Sequence, residues 1–184
     1  VSSPKLDPGR AALVIVDVQE GFRKAIEGFE QLAAATATLL RGAIVLGVPV
    51  VVTEQYPRGL GPTVPEVAEH LPAGIEPITK TVFSAAAADG FDLHGRDQAI
   101  VCGIEAHVCV NQTVLDLLSA GTEVHVVRDA IGSRSVENRE LGLAKAERAG
   151  AWQTSVETAL FELLGEAGSE NFKAVQGLVL ELAP

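Results

Sequence analysis

Residues 11–18 read AALVIVDV. Six apolar residues follow one another before Asp17 interrupts them. An unbroken apolar run of this length, with no alternation, marks a strand covered on both faces, as in a parallel sheet between helices. That reading makes the fold α/β, provided that helical segments separate further strands of the same kind.

They do. FEQLAAATATLLRGAIVLG (29–47) is Ala/Leu-rich, long enough for a helix, and ends near Gly47. VPVVVTEQ (48–55) is a second buried strand, and YPRGLGPTVPE (56–66) a Pro/Gly-dense loop. EPITKTVFS (76–84) predicts a short third strand running into a loop, and AADGFDLHGRD (87–97) a short helix and turn. QAIVCGI (98–104) is the fourth strand. In CVNQTVLDLLSAG (109–121), Val110, Val114, Leu117 and Leu118 recur at helical spacing, with Gly121 as the C-cap. TEVHVVRDA (122–130) is a fifth strand, SVENRELGLAKAERAG (135–150) a helix with Ser135 as N-cap, AWQTS (151–155) a sixth strand, and VETALFELLGEAG opens a final helical region. Strands alternating with helices imply right-handed βαβ crossovers. The expected architecture is a three-layer, Rossmann-like fold, a six-stranded parallel sheet flanked by helices, in a single domain over 1–184.

Composition narrows the function. The chain has 184 residues, 47% of them apolar but only 4% aromatic, so a core of Val, Leu, Ile and Ala is expected. Fourteen Lys and Arg against 24 Asp and Glu give a net charge of −10, which argues against nucleic acid as partner. No apolar run reaches the ~20 residues of a membrane span, and VSSPKLDPGR (1–10) has no signal-peptide core. A cytoplasmic protein without membrane partners is expected. Two cysteines are too few for a disulfide framework.

Ligands of parallel sheets bind at the carboxyl ends of the strands. Asp17, Gln55 and Lys80 lie near the ends of strands one, two and three, and VCGIEAHVCV (101–110) ends strand four. Cys102, mid-strand among apolar neighbours, reads as packing. Cys109 opens a predicted helix, whose N-terminus favours a thiolate and can receive an oxyanion, although a plain buried cysteine fits the position equally. Asp17 is either a turn former or a general base for that thiol. Lys80 is either a solvated lysine or the cation that holds both anions. His107 offers a rival Cys/His dyad. His70, His94 and His125 have no metal-ligand spacing. No glycine-rich dinucleotide fingerprint follows strand one, and there is no Walker A sequence.

LVIVDVQEGF, the lysine of ITKTVFSA, and VCGIEAHVCVNQTVLDLLSAGTEVHVVRDAIGSRS together resemble the isochorismatase-like cysteine hydrolases, over residues 10–165. TEQYPRGLGPTV and GIEAHVCV resemble the isochorismatase domain-containing subgroup. The resemblance implies a triad of Asp17, Lys80 and Cys109. It also implies a non-proline cis peptide at Ile104–Glu105, and an oxyanion hole from the backbone N–H groups of Glu105 and Cys109, with Gly103 permitting the turn. Nicotinamidases of the superfamily carry an Asp/His/His metal site after strand two; TEQYPRGLGPT has no histidine, so neither metal nor cofactor is expected. Isochorismatases proper lack the nucleophilic cysteine, so Cys109 points to acyl chemistry. The expected function is hydrolysis of a small amide-like C–N substrate through a thioester, in a homo-oligomer. Gln19, Phe22, Tyr56 and Phe83, on loops near the crevice, are candidate substrate contacts or ordinary loop packing. The rival functions are a non-catalytic scaffold and a redox-sensing thiol protein.

Overall fold

In the computed structural model, which describes residues 5–182, the decisive run forms β1 (Ala11–Val16), buried at every position. The outermost ends of the expected 1–184 domain lie outside the described residues. Five more strands follow: β2 (Val50–Gln55), β3 (Ile78–Lys80), β4 (Gln98–Ile104), β5 (Glu123–Gly132) and β6 (Trp152–Thr154). All pair in parallel, in the order β3-β2-β1-β4-β5-β6.

The unbroken apolar runs have a simple cause. Side chains alternate across a strand, and both faces of this sheet are covered. Leu13 and Ile15 of β1, with Ile100, Cys102 and Ile104 of β4, pack on one side, where α1 (Phe29–Val45) and a later C-terminal helix contribute Leu39, Leu40, Leu160 and Leu163. Val14 and Val16, with Ala99 and Val101, pack on the other, where Val114, Leu117 and Leu143 come from two intervening helices. Cys102 is thus core, with no exposed surface.

The helices keep their sequence signals. α2 (Pro57–Leu60) and α3 (Pro65–Ala68) are single turns, each begun by proline, the first inside and the second at the end of the stretch expected to be plain loop. α4 spans Asn111–Ser119, and Gly121 beyond it adopts φ +87°. α5 (Val136–Arg148) is capped by Ser135, whose Oγ accepts from Asn138 N at 3.2 Å. α6 (Val156–Leu164) is capped likewise by Ser155, and α7 (Phe172–Glu181) closes the described chain.

Two expectations change. The helix expected within 87–97 is only a three-residue 3-10 turn, Ala85–Ala87, followed by bends, because Gly90 and Gly95 both adopt positive φ there. Gly103 is not in a turn. It is a β4 residue at φ +122°, where the β4–β5 register shifts, and a Cβ there would lie 2.0 Å from the carbonyl oxygen of Val16. Its hydrogen allows β4 to approach β1 where the chain leaves the sheet. No helix among the described residues is long and apolar enough to cross a membrane.

Candidate active site

The strand order reverses between β1 and β4, and ligands of open α/β sheets bind at such a switch point. Asp17 directly follows β1 with φ +53°, a left-handed conformation that Asp tolerates better than most residues. Its carboxylate is almost fully buried. Oδ2 accepts from Lys80 Nζ at 2.7 Å, and Oδ1 accepts from the Thr53 hydroxyl at 2.7 Å. Lys80, the last residue of β3, has a fully buried side chain whose ammonium also donates to Gln55 Oε1 (2.6 Å), Phe83 O (2.9 Å) and Val82 O (3.3 Å). A buried ion pair persists only where hydrogen bonds satisfy both partners, and here both carboxylate oxygens and the ammonium are engaged.

Cys109 reaches the same place from β4. The sequence predicts it in the first turn of a helix; it lies instead in a π-helical turn, Ala106–Val110, ahead of α4. The extra residue per turn is a feature common at functional sites. Thr113 Oγ1 donates to Cys109 O at 2.7 Å and accepts from Ala85 N at 2.8 Å, which ties the turn to the segment after β3. Gly142 lets α5 press on the turn from behind: a Cβ there would stand 2.5 Å from Ala106 O. The Ile104–Glu105 peptide is cis.

The thiol feels both charges. Burial pushes Cys109 up to about 12; Asp17 adds to the rise and Lys80 opposes it. From the sequence, the helix N-terminus and Lys80 favour the thiolate and Asp17 opposes it. In the structure burial comes first and, with Asp17, outweighs Lys80. Cys102 is likewise pushed up to about 12 by burial, far from this centre in function though not in sequence.

The remaining candidates occupy different positions. Glu105 is buried, and its carboxylate accepts from Arg134 N at 2.9 Å and Arg134 Nε at 3.0 Å. Gln19 is fully buried; its side chain donates to Gln55 O (3.1 Å) and Gly61 O (2.7 Å) and accepts from Gln55 N (2.8 Å), so it braces the loop backbone. Phe22 packs against the core beside α1. Tyr56 and Phe83 are about half exposed, beside Val82. His107 Nδ1 lies 3.1 Å from Ser133 Oγ. Among the described residues, no group of three or more His, Cys, Asp and Glu is placed to hold a metal.

Sequence reasoning missed Thr53 as a partner of Asp17 and Arg134 as the partner of Glu105. A signal existed for the first: Thr53 and Gln55 stand two apart on β2 and share a face, and both reach the Asp17–Lys80 pair. Glu54, between them, accepts instead from Thr63 N (2.6 Å) and Thr63 Oγ1 (2.8 Å). Nothing local announces Arg134, 29 residues away.

Comparison with known proteins bears on the family and the fold. The isochorismatase domain model matches residues 11–158. Isochorismatase domain-containing protein 2 of Macaca fascicularis is 44% identical over 180 residues, covering 96% of this chain and 86% of that one. Among solved structures, the MAR1 ribonuclease of Caenorhabditis elegans superposes with a TM-score of 0.92 at 39% identity, covering 98% of this chain and 94% of that one. YcaC of Pseudomonas aeruginosa, solved with hexane-2,5-diol and covalent acrylamide, superposes at 0.87 with 27% identity, covering 98% and 94%. The matched domain, the shared fold and the identity along nearly the whole length make this chain a member of the isochorismatase domain family of hydrolases.

Proposed function

We propose that the protein is a cysteine-dependent hydrolase of a small amide-like substrate, with Asp17, Lys80 and Cys109 as its catalytic residues. One observation carries the reading: an ion pair with no exposed charge is held beside a buried thiol at the switch point of the sheet. Placing these groups together out of water is costly, and covalent catalysis gives each of them work. Asp17 takes the Cys109 proton as the sulfur attacks the substrate carbonyl. The resulting oxyanion rests on the N–H groups of Glu105 and Cys109, each donor contributing about 3 kcal/mol at such a site. Asp17 returns the proton to the leaving amine, the C–N bond breaks, and a thioester remains. Water, deprotonated by Asp17, then attacks the thioester, and the proton returns to the sulfur. Lys80 holds Asp17 correctly turned. The high resting proton affinity of Cys109 fits a thiol that is deprotonated only in concert with attack. Tyr56 and Phe83 offer the substrate half-exposed aromatic surface.

The covalent acrylamide on the related YcaC is in keeping with a nucleophile on this fold. The activity in the name of the C. elegans relative does not transfer readily: a net charge of −10 repels a phosphate backbone. The deciding experiment screens small amides, ureides, carbamoyl compounds and a short RNA against wild type and Cys109→Ala. Hydrolysis of a C–N substrate by wild type alone supports the proposal. Cleavage of RNA alone favours a nuclease. Reversible oxidation of Cys109 without turnover favours a redox sensor, and inertness toward every compound and oxidant a scaffold.

A further inference from the structure

The Lys80 ammonium has three protons and four acceptors, of which only Asp17 is charged. The shortest of these bonds goes to neutral Gln55, at 2.6 Å. We infer that Gln55 is a positioning residue for the reaction: it holds the Lys80 ammonium against Asp17 and within reach of Cys109, an inference that rests on Cys109 being the nucleophile.

Gln55 is itself fixed at both ends. Its Nε2 donates to Thr81 O at 3.0 Å, which leaves Oε1 as the end that meets Lys80. Its backbone is gripped by Gln19, which accepts from Gln55 N and donates to Gln55 O. Gln55 and Lys80 are register partners on adjacent parallel strands, and Tyr56 N donates to Lys80 O at 2.9 Å. The lysine therefore meets a rigid acceptor rather than a mobile side chain. The residue type matters as well as the position. A carboxylate at 55 would share the ammonium with Asp17 and add an anion near the thiol. An aliphatic side chain would remove the shortest of the four contacts and leave the ammonium to Asp17, Phe83 O and the more distant Val82 O, no longer held from the β2 side. A neutral amide does neither, so the full charge of Lys80 stays available to Asp17 and Cys109.

The test is the rate of alkylation by iodoacetamide across pH for wild type, Gln55→Glu and Gln55→Leu, with melting temperatures measured alongside. Cys109→Ala identifies the labelled residue. Both variants are expected to alkylate about tenfold more slowly near neutral pH, with the profile displaced upward by about one unit. A residue that served only to stabilise the fold would lower the melting temperature and leave the profile in place. A folded variant of either kind with the wild-type profile overturns the inference. Gln55→Glu is nearly isosteric and keeps an acceptor, so the test stands even where Gln55→Leu misfolds. Labelling that persists in Cys109→Ala refutes the nucleophile itself, and this inference with it. Labelling confined to Cys109 but indifferent to position 55 refutes the inference alone.

Discussion

Two cysteines seven positions apart have the same depressed acidity and opposite prospects. Cys102 has no exposed surface and packs beneath α1, whereas Cys109 retains slight exposure at the switch point. Acrylamide is therefore expected to label Cys109 and spare Cys102, as read by peptide mass spectrometry. Cys109→Ala should lose labelling and hydrolysis together, and Cys102→Ala should keep both; equal labelling of Cys109→Ala would refute the assignment. The acidity sets a second expectation. With the thiol pushed up to about 12, its alkylation rate should climb through the alkaline range without a plateau near pH 7. Lys80→Ala should slow it further, since the one charge favouring the thiolate is gone. Asp17→Asn should abolish turnover while leaving alkylation intact or faster, which separates a general base from a residue needed only for folding. Thr53→Val deprives the buried Asp17 of a donor and should cost about 1–3 kcal/mol in stability, measured by urea unfolding.

At the scale of elements, the approach of β4 to β1 depends on one hydrogen atom. Gly103→Ala would place a methyl group 2.0 Å from Val16 O at φ +122°, and should cost about 3 kcal/mol or more. Gly47→Ala is the control: its φ is +70° but nothing lies within 4 Å, so backbone strain alone applies, about 1–2 kcal/mol. Comparable urea midpoints for the two variants would show that the β1–β4 contact is not decisive. The connection from β1 to α1 is organised by Arg23, which pairs with Glu20, Glu30 and Glu66 and lies 5.1 Å from the centroid of Phe29. Hydrogen bonds from Arg23 hold the Glu20 and Glu66 carboxyls below the ordinary carboxylate range. A lowered carboxyl stabilises the fold above its unfolded pKa and loses that contribution as pH falls through the folded one. The melting-temperature gap between wild type and Arg23→Gln should thus be widest at neutral pH and close in acid; a gap that widens in acid refutes the reading.

For the whole molecule, the apolar C-terminal region raises the question of self-association. Much of it is accounted for within one chain: Leu160, Leu163, Val175 and Leu178 are buried, the first three in the core shared with α1. Among the described residues, the large apolar side chains that stay exposed are Leu180 on α7 and Ile44 on α1, Val136 and Leu141 on α5, Trp152 on β6, and Tyr56, Val82 and Phe83 near the site. A homo-oligomer is expected from these surfaces, and light scattering at micromolar concentration checks it; a monomer mass overturns it. Activity is expected to survive chelation, since all three proposed catalytic groups act without a metal. Loss of activity on chelation, restored by a stoichiometric ion, would refute that.

Local patterning determined the strand–helix alternation, because burial on both faces requires the unbroken runs of β1, β2 and β4, and because serine and glycine mark helix ends by their own chemistry. The α/β class and the convergence of Asp17, Lys80 and the Cys109 segment on one sheet edge were legible for that reason. The linear chain does not contain the distances between strands. The Lys80–Asp17 pair spans 63 positions, the Thr53–Asp17 bond 36, and the Arg134–Glu105 pair 29. The sign of the Cys109 shift has the same origin: a helix start and a nearby lysine favour the thiolate and Asp17 opposes it, but the desolvation that decides between them exists only after packing. Tertiary structure alone decided which charge neutralises which, because Coulomb energy and dielectric depend on separation in space and on excluded water rather than on order along the chain.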